Sequence, residues 1–173
     1  MALITYADKQ AMGTQPSIPD VNKVTDSDMN QIKNVVNNME PSWCVATITT
    51  KPTVSSEYFV PLNYIHTKQG NYTLQDGGIR IGSGINHIRV SACVFVENFY
   101  GGDAFLWARV YKNNNMISSM LNSGGASYLS AGVPVTITSV SEGDIIKLMA
   151  DSGQGGTLRD TAINTWLCVE KID

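Results

Sequence analysis

From Asn86 to Val96 the chain reads Asn86-His87-Ile88-Arg89-Val90-Ser91-Ala92-Cys93-Val94-Phe95-Val96. Ile88, Val90, Ala92, Val94 and Val96 share one face of an extended chain, and His87, Arg89, Ser91, Cys93 and Phe95 share the other. A period of two held over this length marks a half-buried antiparallel strand, because a helix would scatter the same apolar residues around its whole surface. Working outward, strand-like runs recur downstream at Phe105 to Lys112, Met116 to Leu121, Val133 to Val140, Asp144 to Ala150 and Ile163 to Ile172. Shorter ones precede it at Val45 to Thr50, Tyr58 to Pro61, Tyr64 to Thr67, Tyr72 to Leu74 and Ile79 to Ile81. The separators, among them Asp76-Gly77-Gly78, Asn113-Asn114-Asn115, Ser123-Gly124-Gly125 and Ser141-Glu142-Gly143-Asp144, are rich in residues that tolerate positive φ. About eight to ten short strands with no helix between them predict an antiparallel jelly-roll sandwich over residues 43–173.

Upstream the pattern changes. Residues 1–24 show no sustained periodicity and carry Pro16 and Pro19, which predicts an extended arm that needs a partner to be ordered. Residues 25–40 predict one short helix, with Thr25 as N-cap, Asp26 and Asp28 in the first turn, and an end before Pro41. Met29, Ile32, Val36 and Met39 follow the 3-4-3 spacing of a coiled-coil seam, while Asn30, Gln31, Lys33, Asn34, Asn37 and Asn38 form a polar face. A helix this short is marginal alone, so the stripe needs a cover, either its own domain or copies of itself in a trimer bundle.

Charged residues make up 16% of the 173, below the roughly 25% of average chains, and the net charge is −3. The 12 Lys and Arg form no run, which argues against nucleic acid as a partner. No stretch approaches the roughly 20 apolar residues needed to span a bilayer, and Met1 to Asp8 lacks the features of a secretory signal, so a soluble protein folded in a cytoplasm is expected. Cys44, Cys93 and Cys168 are odd in number, widely spaced and set in apolar runs, as free thiols acting as small hydrophobes would be.

Material for catalysis is thin. His66 and His87 have no metal-ligand spacing, Gly82-Ser83-Gly84 lacks the Lys and helix of a phosphate loop, and no GxSxG elbow occurs. Asp103, Glu142, Asp144, Asp151 and Asp160 all fall in or beside predicted turns, where carboxylates are solvated, so neither an enzyme nor a cofactor or metal is expected. Phe105, Trp107 and Tyr111 share one face of a strand and read as core, whereas Tyr100 and Tyr128 read as exposed. Aromatic rings beside polar groups suit a carbohydrate surface, which makes Tyr100, Asp103, Tyr128 and Gln154 the candidate receptor contacts.

The opening Ile4-Thr5-Tyr6-Ala7-Asp8-Lys9, the segment Ile18-Pro19-Asp20-Val21-Asn22-Lys23 and the helix Ser27 to Asn37 resemble the N-terminus of tail, baseplate or fibre proteins of bacteriophages of Gram-positive hosts. Gly78 to Gly82, Ile88 to Ala92, Val110 to Asn114 and Val140 to Ile145 are similar to phage C-terminal β domains related in fold to the complement globular head and tumour necrosis factor. The resemblance implies a jelly roll that forms a homotrimer, with the helix as a bundle and the arm held by other virion proteins. It further implies a virion protein, assembled in the bacterial cytoplasm, whose β domain acts as a fibre tip touching a host cell-wall saccharide. A purely architectural connector, baseplate or head-fibre decoration that binds no receptor is the alternative, and a wall or capsule depolymerase a third reading.

Overall fold

The structure, a computed structural model of the 173-residue chain, describes residues 26–38, 40–99, 104–124 and 127–172. It divides into two units, residues 1–40 and residues 41–173. In the first, helix α1 (Asp26–Asn38) carries acidic residues in its first turn and no basic residue in its last. Met29 and Ile32 are exposed and Val36 is half-buried. The arm at residues 1–24, the N-cap Thr25 and the fourth seam residue Met39 lie outside the described residues.

The second unit is built of β1 (Trp43–Thr47), β2 (Thr53–Val54), β3 (Tyr58–Phe59), β4 (Tyr64–Gln69), β5 (Tyr72–Gln75), β6 (Gly78–Ile81), β7 (His87–Glu97), β8 (Ala104–Lys112), β9 (Asn115–Gly124), β10 (Tyr128–Ser139), β11 (Ile145–Ser152), β12 (Gly156–Leu158) and β13 (Trp166–Lys171). All pairs are antiparallel. The first sheet runs β4-β1-β13-β7-β10, with the β2-β12 pair continuing from the end of β7; the second runs β5-β6-β11-β8-β9, with β3 beside β11. The chain crosses repeatedly between the two sheets, with β4, β7 and β10 of the first each lying in sequence between strands of the second, as in a jelly roll. The three two- or three-residue strands β2, β3 and β12 had little periodicity to announce them, and β2 and β12 had no counterpart among the expected runs.

The core lies between the sheets. Ile88, Val90, Ala92, Val94 and Val96 of β7 face Ile79, Ile81, Leu106, Val110, Ile146 and Leu148 of the second sheet, all buried. Expectation and structure part company on β8. Ala104, Leu106, Ala108 and Val110 point inward, so Phe105, Trp107 and Tyr111 form the outer, half-buried face of the sheet and are not core. The aliphatic side chains of the two facing sheets fill the interlayer space, and the rings lie outside it, with the Arg109 guanidinium 5.1 Å from the Trp107 centroid.

Turns follow their chemistry. Asp76 (φ 50) and Gly77 (φ 71) make the two-residue β5-β6 loop, in which both central residues need positive φ. Asn113 (φ 54) ends β8 and ties it to the start of β11: its N–H donates to Ile145 O at 2.7 Å, its Nδ2 donates to Asp144 Oδ1 at 2.9 Å, and its Oδ1 accepts from Ile145 N at 2.9 Å. Partial burial pushes the Asp144 carboxyl up, but hydrogen bonds from Asn113 and the Ser141 N–H, with the charge of Lys112, outweigh it and hold the group below its ordinary value of 3.8. A depressed folded-state value stabilises the fold above the unfolded value and is lost as pH falls through the folded one. Denaturant midpoints should therefore fall modestly on acidification below about pH 4, and Asp144→Asn should flatten that part of the profile.

Candidate functional site

Within the second unit no other strand covers the outward side of the first sheet, and strand register determines what it displays. Across β1, β13 and β7 run the rows Val45-Cys168-Ser91 and Trp43-Glu170-Arg89, and Trp166 pairs with Cys93. On the far side of β7, Gly132 opposes Cys93 and Ile137 opposes Arg89. A Cβ added at Gly132 would meet nothing within 4 Å, so the face dips there. Trp43, Val45, Cys93, Cys168 and Trp166 are each half-buried, a degree of exposure unusual for so many apolar groups together on one sheet face.

At the end of β7 three separate segments meet. Phe95 and Tyr128 stack with ring centroids 6.0 Å apart and planes at 9°, and the Arg159 guanidinium sits 5.4 Å from the Phe95 centroid. Glu97 lies 3.3 Å from Arg159 Nε, and Lys51 lies 3.9 Å from both Glu97 and Asp160. Thr165, fully buried, accepts from Phe95 N at 3.3 Å through Oγ1, and its carbonyl accepts from Thr47 Oγ1 at 2.6 Å. These bonds fix the base of the stack while Tyr128, 60% exposed, stands clear of the surface. At the other end Arg89 pairs with Glu170 at 2.5 Å. That pair is exposed and contributes little by itself.

One flank of the sandwich, closed by β9 and β10, is also apolar. Ser118 Oγ donates to Pro134 O at 3.3 Å and Asn122 Nδ2 to Ser130 O at 2.7 Å, joining the edges of the two sheets. Met116 and Met120 of β9 and Val135 of β10 are exposed along this flank.

Of the residues singled out in the sequence, Tyr128 is brought into the aromatic stack, at the first position of β10 and not in a loop. Gln154 is exposed in the β11-β12 turn, near the same end of β7, since Thr157 of β12 and Tyr128 both pair with Glu97. Tyr100 and Asp103 lie outside the described residues. Phe95, Arg159, Trp43 and Trp166 are contributed by the fold; each comes from a different segment, so no local spacing announces them. No group of three or more His, Cys, Asp or Glu that could hold a metal occurs among the described residues, and no helix among them is long and apolar enough to cross a membrane. Burial pushes the Cys44 thiol up to about 11, the nearby Lys68 offsetting part of this, and burial raises Cys93 and Cys168 as well. At neutral pH all three are protonated and poor nucleophiles.

The sequence matches no family model and no curated protein. Solved structures do match the fold. Murine APRIL at pH 5.0 aligns with a TM-score of 0.60 at 12% identity, over 77% of this chain and 100% of that one. At pH 8.5 the same protein gives 0.59, again at 12% identity with the same coverage. The Eiger TNF of S. frugiperda aligns with 0.56 at 10% identity, over 77% of this chain and 92% of that one. The fold is a tumour necrosis factor-like jelly roll.

Proposed function

We propose that this chain is a virion structural protein whose jelly roll assembles into a homotrimer and serves as a non-catalytic fibre tip contacting the host cell surface. The observation that carries the assembly is the pairing of two apolar surfaces on one subunit: the open face of the first sheet and the β9-β10 flank. They are different surfaces, so the contact is heterologous, and a heterologous contact forms a closed ring where the rotation between copies closes, as a three-fold one does. Met116, Met120 and Val135 of one copy supply knobs for the hollow at Gly132, between Trp166 and Tyr128, of the next. The virion and host-surface parts rest on the likeness of the arm and helix to phage tail and fibre proteins. Three linked receptor sites raise avidity by roughly 10²–10⁴ over one, which suits weak contacts to a repetitive envelope.

Cys93 and Cys168 report on this directly, because both lie on the open face. In the assembled protein iodoacetamide should label neither within hours at pH 8.5, and both should label in any variant made monomeric, with the modified peptides identified by mass spectrometry. Rapid labelling of wild type would count against the interface. Function is tested by sedimentation with cell envelopes of candidate hosts, where the reading expects saturable binding that weakens sharply in a monomeric variant.

A connector without receptor binding is the second reading: in the proposed assembly the next copy covers Tyr128, stacked on Phe95, so that ring is not offered to a receptor. In that case particles lacking residues 1–24 of this protein fail to incorporate it, and substitutions around Gln154 leave adsorption unchanged.

A further inference from the structure

The outer face of the second sheet carries a second aromatic cluster, away from the association face. Its centre is Arg109, whose side chain is only 17% exposed. Arg109 Nη1 donates to Glu57 Oε1 at 2.5 Å and Nη2 to Asp151 Oδ2 at 3.3 Å, while the guanidinium lies 5.1 Å from the Trp107 ring centroid. One row away, Phe59 meets Tyr111 edge to face at 5.4 Å and 68°, with Lys147 Nζ 5.7 Å from the Phe59 centroid. Phe59 is 47% exposed, and Leu121, paired with Trp107, is 44% exposed.

Registers explain how four segments converge. Met149 of β11 pairs with Phe59 on one side and Arg109 on the other, Asp151 pairs with Trp107, and Lys147 pairs with Tyr111. The face is thus a sheet-borne platform whose charged groups are already held, so little side-chain freedom is lost when a ligand arrives.

We propose that this face is the receptor site of the fibre-tip reading, on which the inference rests, and that it takes a neutral pyranose of a surface polysaccharide. Rings with exposed faces and edges offer stacking area to the C–H side of a sugar. Each carboxylate uses one oxygen on Arg109 and retains a second with acceptor capacity for hydroxyl groups. The charge balance selects against ionic ligands. Arg109 and Lys147 are matched by Glu57 and Asp151, and Arg109 already directs its N–H groups at two carboxylates, so an anionic polymer would have to displace them.

The test uses the full chain with oligosaccharides of glucose, galactose and N-acetylglucosamine as neutral probes, and oligogalacturonate as the anionic one, read by saturation-transfer NMR and calorimetry. At least one neutral probe should bind at millimolar concentration, and Phe59→Ala and Glu57→Gln, both at exposed side chains, should each weaken it, Phe59→Ala by about tenfold. Light-scattering mass should not change in either variant. A trimer that binds no neutral probe, binds oligogalacturonate in preference, binds equally well after Phe59→Ala, or captures an envelope polypeptide through this face overturns the proposal while leaving assembly intact. A monomer that still binds the neutral sugar through Phe59 overturns the trimeric reading and leaves the site standing.

Discussion

Tyr128→Asp should yield a folded monomer of about 18.8 kDa in place of the trimer proposed for the parent protein. The side chain is 60% exposed and its only ring contact among the described residues is the stack on Phe95, so the isolated domain loses little; surface substitutions away from special features usually change stability by about 0.5 kcal/mol or less. Assembly responds differently. Tyr128 pairs in register with Glu97, so the new carboxylate arrives beside an existing one, on a face that the neighbouring copy would cover with apolar groups in the proposed trimer. Burying an unpaired charge costs several kcal/mol, and the three-fold arrangement repeats that cost in every copy. Tyr128→Phe keeps the ring and should keep the trimer. Light scattering together with far-ultraviolet circular dichroism separates the outcomes: a folded monomer supports the interface, whereas a trimer from Tyr128→Asp removes this face from it.

Leu106→Ala should be the most damaging single truncation in the core, lowering stability by about 2–5 kcal/mol. Leu106 is fully buried near the start of β8, between strands β11 and β9, where it pairs with Ser152 and Asn122. Its neighbours on the same strand face are Ala104 and Ala108, which have no length to spare for closing a cavity. A loss of this size is a large share of the 5–15 kcal/mol typical of a domain. Urea midpoints of the monomeric Tyr128→Asp background give the effect free of assembly. Phe105→Ala, one residue away but on the outer face, should cost less, and a result in which it costs more would reverse the assignment of the two faces of β8.

That assignment is also where the sequence was hardest to read. Phe105, Trp107 and Tyr111 are larger than Ala104, Leu106, Ala108 and Val110, and size alone points to the aromatic side as core. Both faces of β8 have the period of two, so the pattern identifies a strand without saying which side faces inward. The facing sheet decides it, through a close-packed aliphatic layer that no local window contains. β7 was legible for the opposite reason: one of its faces has Arg89 and Ser91 in it and the other has only aliphatic residues. β10 begins at Tyr128, five residues before the expected Val133, because Ser130 and Gly132 dilute a perfectly regular alternation of Leu129, Ala131 and Val133. Within it the register shifts between Val133 and Thr136, around Pro134, which cannot donate to a ladder.

The candidate site divides along the same line. Tyr128 was visible as an aromatic residue in a polar neighbourhood, and the structure gives it the partners Phe95 and, through Phe95, Arg159. Those partners lie more than thirty residues away in either direction, so only sheet register reveals them. The Arg109 cluster was hidden twice, first by reading its aromatic face as core and then by reading Asp151 as a solvated turn residue, whereas its side chain is 18% exposed and held by Arg109.

Absolute mass in solution tests the central claim most directly, measured by light scattering at micromolar concentration on the full chain and on a chain beginning at Trp43. Three copies are expected from both, about 56 kDa for the full chain of 18.8 kDa subunits, because the surfaces proposed to mate belong to the jelly roll. Monomers from both would contradict the claim.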